Sequence, residues 1–403
     1  MNKYWKISII IALTIMTIGA FYTHSAYSST QLPQFHIKEE RGNSELIKNV
    51  AISAFYMVDS HGEGVSIEQN KTTYDSEKSF FEQFNRDYAR TDSTIKQLQK
   101  KYRNFMRGKL NISSFYEDKQ LLAFADIDNN TGNGSRSFIF NISVLNKKTG
   151  NSTSFKYEIP SPEKYNHIYV EDVQYFGKEL KVLTRSYQQN IGGQDVSKYI
   201  FDIPNEKLLS KEEVFAGSKT LLEYSLIPNI DPIQPSKYAV FSISEPVYEP
   251  EETEAPEPPK PKEKELVVYD LEQNKKLDTI FPKEIQKINT DAIQPYVDGS
   301  TAYFAEEADQ KVKLTAFNLE TGKIDNEITL PIDLKGKYNE MRVVVKDGKF
   351  YLLVKNHDMQ TANVKIMIAD IKTESIVFEG RLAADKNMRQ SLRSLELYDI
   401  QIK

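Results

Sequence analysis

The sequence has no cysteine, one tryptophan and only five histidines in 403 residues. Without cysteine there is no disulfide, no thiolate metal site, no cysteine nucleophile and no lipidated N-terminal cysteine. The compartment stays open, since a cysteine-free chain is stable anywhere. His24, His36, His61, His167 and His357 include no pair at metal-ligand spacing. Positive charge is also short, with 52 Lys and Arg against 57 Asp and Glu. The net −5 speaks against nucleic acid as the main partner, because binding phosphates needs a cationic surface. No phosphate-cradling glycine loop and no nucleophile elbow occur. The sequence therefore nominates no catalytic residue, no metal site and no cofactor. What it has in quantity is aromatic bulk for a core, in 23 Tyr and 21 Phe.

The longest apolar run is N-terminal. Lys3 and Lys6 precede Ile7–Phe21, 15 uncharged residues, or 17 if extended to Thr23. That suits a signal-peptide core and reaches only the lower limit of a spanning helix, which needs about 20. Lysines before the run and none just after it put the remainder of the chain outside the cytoplasm. Ala26 and Ser28 are small, but no strong A-x-A site is present. The reading favours an uncleaved single-pass anchor in the cell membrane, with secretion after cleavage as the alternative.

From about residue 110 the pattern is short runs of Val, Ile, Tyr and Phe bounded by turns, with no long helical period. Tight turns at Glu117-Asp118-Lys119, Phe176-Gly177-Lys178, Pro235-Ser236-Lys237, Asp298-Gly299-Ser300 and Asp347-Gly348-Lys349 each precede an apolar run. A second turn follows each, carrying Asn146, Asp202, Asp270, Asn318 or Asp370, side chains that bond their own backbone. Their intervals are 56, 68, 48 and 52 residues, the long one enlarged by an insertion. A period of about 50 is that of propeller blades.

On these repeats, and on phrases such as KLTAFNLETGKIDNEITLPI, residues 110–400 resemble the quinoprotein-like β-propellers at the level of fold. The tryptophan-docking repeats, the WD dipeptide and the aspartate box of named propeller families are absent. The resemblance implies an all-β fold. Five turn pairs give five four-stranded units, and an N-terminal hairpin with the C-terminal strand LRSLELYDIQI makes a sixth. The expectation is a six-bladed propeller closed by its N- and C-terminal strands, with seven blades, an open stack or two sandwiches as alternatives. In the last strand, Leu395 and Leu397 alternate and then slip phase to Ile400 and Ile402, as at a bulge.

The domains read as 1–28 signal peptide or anchor, 29–46 tether, and 47–403 propeller. Residues 75–107 read as a small helical-hairpin insertion, since Phe81, Phe84 and Tyr88, and Ile95, Leu98, Tyr102 and Phe105, each line one helical face. Residues 245–265, rich in Glu and Pro, read as a disordered acidic loop.

The second helix carries Lys96, Lys100, Lys101, Arg103, Arg107 and Lys109 with no acid between them. These six are the candidate binding residues, for lipid headgroups, an anionic wall polymer or an acidic envelope protein. Near an anionic surface each is worth about 1 kcal/mol. Asp126-Ile-Asp128-Asn-Asn130-Thr-Gly132 has Thr131 and Ser137 where a calcium loop has Gly and Glu, so it reads as a hairpin connection. His167 ahead of Glu171 and Asp172, and His357 beside Asp358, could each be half of an acid–base pair.

Two functions fit. The first is a non-enzymatic binding, sensing or scaffold module of the bacterial cell envelope, with an envelope protein or wall polymer as partner. The second is an envelope hydrolase or lyase acting on a glycan or peptide through carboxylates at the channel mouth, such as Glu171, Asp172, Glu306 and Glu307. Two carboxylates about 5–10 Å apart, one of them desolvated, would mark the second.

Overall fold

The five Asp and Asn turns are built alike. In the computed structural model, Asn146 Oδ1 accepts from the amides of Lys148 and Thr149, Asp202 from Asn205, Asp270 from Gln273, Asn318 from Glu320 and Thr321, and Asp370 from Thr373. Four residues past each stands a residue with positive φ: Gly150, Glu206, Asn274, Gly322 and Glu374. A type I turn followed by a left-handed residue reverses the chain between two strands and keeps their twist. The structure describes residues 5–29, 32–58, 61–78, 93–132, 135–189, 194–217, 222–244, 264–288, 293–332, 339–356 and 363–402.

After helix α1 (Trp5–Ser29) come β1 (Phe35–Gly42), β2 (Val50–Val58), β3 (His61–Glu68), β4 (Lys71–Tyr74) and helix α2 (Ser93–Lys101). Four antiparallel meanders follow: β5–β8 (Phe115–Glu117, Leu121–Gly132, Ser135–Asn146, Ser152–Glu158), β9–β12 (Tyr165–Phe176, Glu179–Gln188, Gln194–Asp202, Lys207–Ala216), β13–β16 (Glu223–Ile227, Tyr238–Ser244, Glu265–Asp270, Lys275–Leu277) and β17–β20 (Tyr296–Asp298, Thr301–Ala308, Lys311–Asn318, Lys323–Pro331). Strands β21–β24 (Asn339–Lys346, Lys349–Asn356, Asn363–Asp370, Ser375–Ala384) make a fifth sheet, and β25 (Leu395–Ile402) joins β2–β4 in the sixth. The fold is all-β, and six antiparallel sheets in chain order are the layout of a six-bladed propeller.

The chain divides into two compact units. One is Met1–Thr91, Glu307–Lys313 and Ile328–Lys403; the other is Asp92–Glu306 and Leu314–Glu327. In the first, β25 pairs with β2 from Val50↔Ile402 to Tyr56↔Leu395, as the chain-end closure requires. The register shift falls between Ser53 and Ala54, which makes Tyr398 the extra residue of the bulge. Residues 35–42, placed in the tether by sequence, instead form β1, a fifth strand on β24. Only Phe35 and Ile37 of that strand are buried, so its apolar alternation is too short to stand out.

In the second unit, α2 packs Ile95 and Leu98, with Met106 beyond it, against Phe115, Leu122, Phe124 and Leu145. Tyr102 and Phe105 sit at the edge of this cluster, so the expected apolar face is the one that is buried. The proposed first helix, with Phe81, Phe84 and Tyr88, lies outside the described residues, as does the acidic loop through residue 263. Asp126 to Gly132 is not a connection but the far half of β6, paired with β7 from Asp126↔Asn141 to Gly132↔Ser135.

Large apolar side chains along α1, among them Ile10, Leu13, Ile15 and Met16, are exposed. No helix among the described residues is long and apolar enough to cross a membrane.

Candidate functional site: an aromatic and ion-paired face on strands β9 and β10

Strand β9 is the edge strand of its sheet, and the β5–β8 sheet holds it in place. Asn129 pairs with Ile168 as a neighbouring strand would, donating Nδ2 to its carbonyl and accepting its amide, both at 3.2 Å. Arg136 donates Nη1 to the Tyr165 carbonyl at 2.8 Å. Two bulges then re-aim β9, with Asn166 and Glu171 as extra residues against β10.

Between the bulges, alternation puts His167, Tyr169 and Glu171 on one side, while Ile168 and Val170 enter the core. Across the ladder, Tyr187 stands opposite His167, and Arg185 opposite Tyr169. The His167 and Tyr169 rings stack at 5.9 Å and 22°, and Tyr187 meets Tyr169 edge-on at 6.2 Å. Tyr169 is 49% exposed, so its ring reaches solvent beside these neighbours. Arg185 donates Nη2 to Glu171 Oε2 at 3.0 Å and Nη1 to Gln194 Oε1 at 3.1 Å. Its Nε also lies 3.0 Å from Glu171 Oε1. One Glu171 oxygen thus accepts a hydrogen bond and the other lies within ion-pair distance of the same guanidinium.

The next carboxylate turns inward. Asp172 is 5% exposed and accepts Gln174 Nε2 at 3.1 Å, while Gln174 Oε1 takes the Ser236 amide at 2.8 Å. Burial pushes the Asp172 carboxyl up to about 7. Deeper on the same sheet, Lys198 is fully buried, donating to Tyr269 Oη at 2.8 Å and ion-paired with Glu212 at 2.7 Å. Burial lowers the Lys198 ammonium below the usual range and pushes Tyr269 up to about 12. Lys181 donates at 2.9 Å to the Leu271 and Glu272 carbonyls and to Asn274 Oδ1. It thereby satisfies the turn whose left-handed residue is Asn274.

No known family model matches the sequence. No curated protein matches it either. Among solved structures the chain is similar to the trigonal crystal form of a chimera of apocarotenoid oxygenase and RPE65. There the identity is 8%, over 86% of this chain and 92% of that one, with TM-score 0.47. A mutant of the Synechocystis apocarotenoid oxygenase aligns at 10% identity over 65% of this chain, with TM-score 0.36. In that alignment the chain spans 58% of the other protein's length. The fold class rests on the chain's own sheets.

Of the residues singled out by sequence, the structure brings together His167, Glu171 and Asp172, but not as an acid–base group. His167 stacks on Tyr169, Glu171 is held by Arg185 and Asp172 is closed off. Glu306 is half-buried and Glu307 exposed on β18. Among the described residues no cluster of His, Asp and Glu could hold a metal ion. His36 is exposed on β1, and His357 lies outside the described residues.

The basic candidates follow α2 and the turns after it. Lys100, Lys101, Arg103 and Arg107 are exposed, and Lys96 and Lys109 are half-buried. Lys109 lies 3.7 Å over the Phe105 ring and donates to the Phe105 carbonyl at 2.6 Å. Burial lowers its ammonium to about 8.

Sequence patterning alone does not single out Tyr169, Arg185, Tyr187 and Gln194. The signal was there as His-x-Tyr-x-Glu on one strand and Arg-x-Tyr on the next. Such alternation also describes any solvated strand face, and only the pairing shows that the two sets share one side.

Proposed function

We propose that this protein is a non-enzymatic binding or scaffold module of the bacterial cell envelope, held at a membrane by its N-terminal segment. The basic surface of α2 and its following turns meets an acidic partner there. The observation that carries the reading is that surface: four exposed cations, Lys100, Lys101, Arg103 and Arg107, on a chain of net charge −5. Ile95 and Leu98 fix the helix and Met106 fixes the turns after it, so the charges are presented on a packed support.

Two further observations support the reading. The exposed apolar side chains of α1 favour attachment to lipid. At the β9–β10 face a hydrolase would need carboxylates able to reach a substrate, yet there Glu171 is ion-paired with Arg185 and Asp172 is enclosed.

The test is cross-linking in native membranes, followed by affinity recovery and mass spectrometry. The expected result is one envelope protein recovered in near-equal amount and lost in the K100E/K101E/R103E variant. Equal recovery from wild type and variant overturns the role of the basic surface. Recovery of nothing specific overturns the scaffold reading.

A further inference from the structure

We propose that the β9–β10 face around Tyr169 is a saccharide-binding site that takes a neutral pyranose ring. The inference goes beyond the partner surface on α2 and uses none of its residues.

The chemistry of the ligand follows from what the face offers. The exposed Tyr169 ring is a flat apolar surface with a negative π face, flanked by His167 and Tyr187. A pyranose carries its axial C–H groups on one side, weakly positive and apolar, and such a surface stacks on an aromatic ring. Around its rim the sugar presents hydroxyls that both donate and accept.

The rim of the Tyr169 platform matches them. Among the described residues, the hydroxyls of Tyr169 and Tyr187 and the ring nitrogens of His167 make no hydrogen bond. Arg185 uses one N–H of each terminal nitrogen on Glu171 and Gln194, which leaves one on each. The charges cancel within the Arg185–Glu171 pair, so the face favours neither an anion nor a cation. Its polar groups are held ready by that pair and by the two bulges, which lowers the ordering cost of binding.

The proposal is tested with the full chain in a detergent that is not a glycoside. The probe is a β-1,4-linked tetramer of N-acetylglucosamine, observed by saturation-transfer NMR and titration calorimetry. The expected result is transfer strongest to the ring C–H protons, with binding at least tenfold weaker in Y169A and within about threefold of wild type in Y169F. E171Q, which frees the guanidinium charge, should weaken binding severalfold. Circular dichroism and the melting midpoint serve as the folding control, since half-exposed Tyr169 contributes little to the core.

Absence of transfer to the tetramer and to neutral glucose-type oligosaccharides overturns the proposal. So does transfer that Y169A leaves unchanged. Binding of an uncharged peptide that is lost in Y169A, with no sugar bound, assigns the face to peptides instead. The K100E/K101E/R103E variant should bind the tetramer as wild type does, and Y169A should leave partner recovery intact. Failure at one surface is thus distinguishable from failure at the other.

Discussion

Arg342 donates Nε to the carbonyl of Tyr398 and Nη2 to the carbonyl of Leu397, both at 2.8 Å. Those two carbonyls belong to the bulge of β25, where the ladder to β2 is interrupted. One side chain from β21 therefore satisfies the backbone that the extra residue disturbs, and Tyr398 is left 67% exposed. Replacing Arg342 by Met should cost about 1–2 kcal/mol, since charge-assisted bonds are lost at a half-exposed position. Tyr398→Ala should change stability little. Thermal unfolding checks both, and hydrogen exchange across residues 395–402 should accelerate only in the Arg342 variant.

Lys181 is the deeper case. Its ammonium serves three acceptors on the turn between β15 and β16, and methionine would fill the space without serving any of them. Lys181→Met should lose about 3 kcal/mol, because buried acceptors are left unpaired. A urea titration measures it, and near-wild-type stability would mean that the turn finds other donors.

Asp172 gives stability a dependence on pH with a definite sign. The unfolded carboxyl ionises near 4. In the fold, burial holds the proton to about 7. Between those values the folded chain carries a proton that the unfolded chain has released, so stability falls as pH rises through that window and is flat above it. The contribution is on the order of 4 kcal/mol. Asp172→Asn, which can keep the Gln174 bond, should flatten this slope and be the more stable form at pH 8. Urea midpoints at pH 5 and pH 8 decide it, and parallel shifts in both proteins would count against the assignment.

Gly217 lies against the backbone of Gln194, the residue whose side chain accepts from Arg185. A methyl group there would meet the carbonyls of Gln194 and Leu222 and the Tyr224 ring. Gly217→Ala should therefore cost about 1–3 kcal/mol and displace Gln194 from Arg185. Heteronuclear NMR of the arginine side-chain N–H groups should show the Arg185 Nη1 signal broadened or lost.

Much of the architecture is legible because it is local. Asn146, Asp202, Asp270, Asn318 and Asp370 fold the chain back on itself with their own side chains, and five sheets follow from five such turns. The phase slip after Leu397 marks a bulge, because the burial period of a strand is two and an extra residue must shift it. What is not legible is set by partners far off in sequence. Strand β1 has two buried apolar residues and no turn to announce it. Lys181 and Lys198 look like solvent-facing lysines until the neighbouring sheet supplies their acceptors. The basic residues of α2 could be read from composition, whereas the Tyr169 face depends on which side of β10 meets β9.

The strand pairings also order events in time. Strands β5 to β20 each pair with the strands next to them in the chain, so those sheets can assemble as the chain emerges. Strands β1 and β2 instead wait for β24 and β25, about 350 residues later. Loop closure over that distance is slow. Until it happens, β2 and β24 present unpaired edges to any other extended chain. A chain exported unfolded would be at its most aggregation-prone in its final moments of folding, with four of its sheets already made.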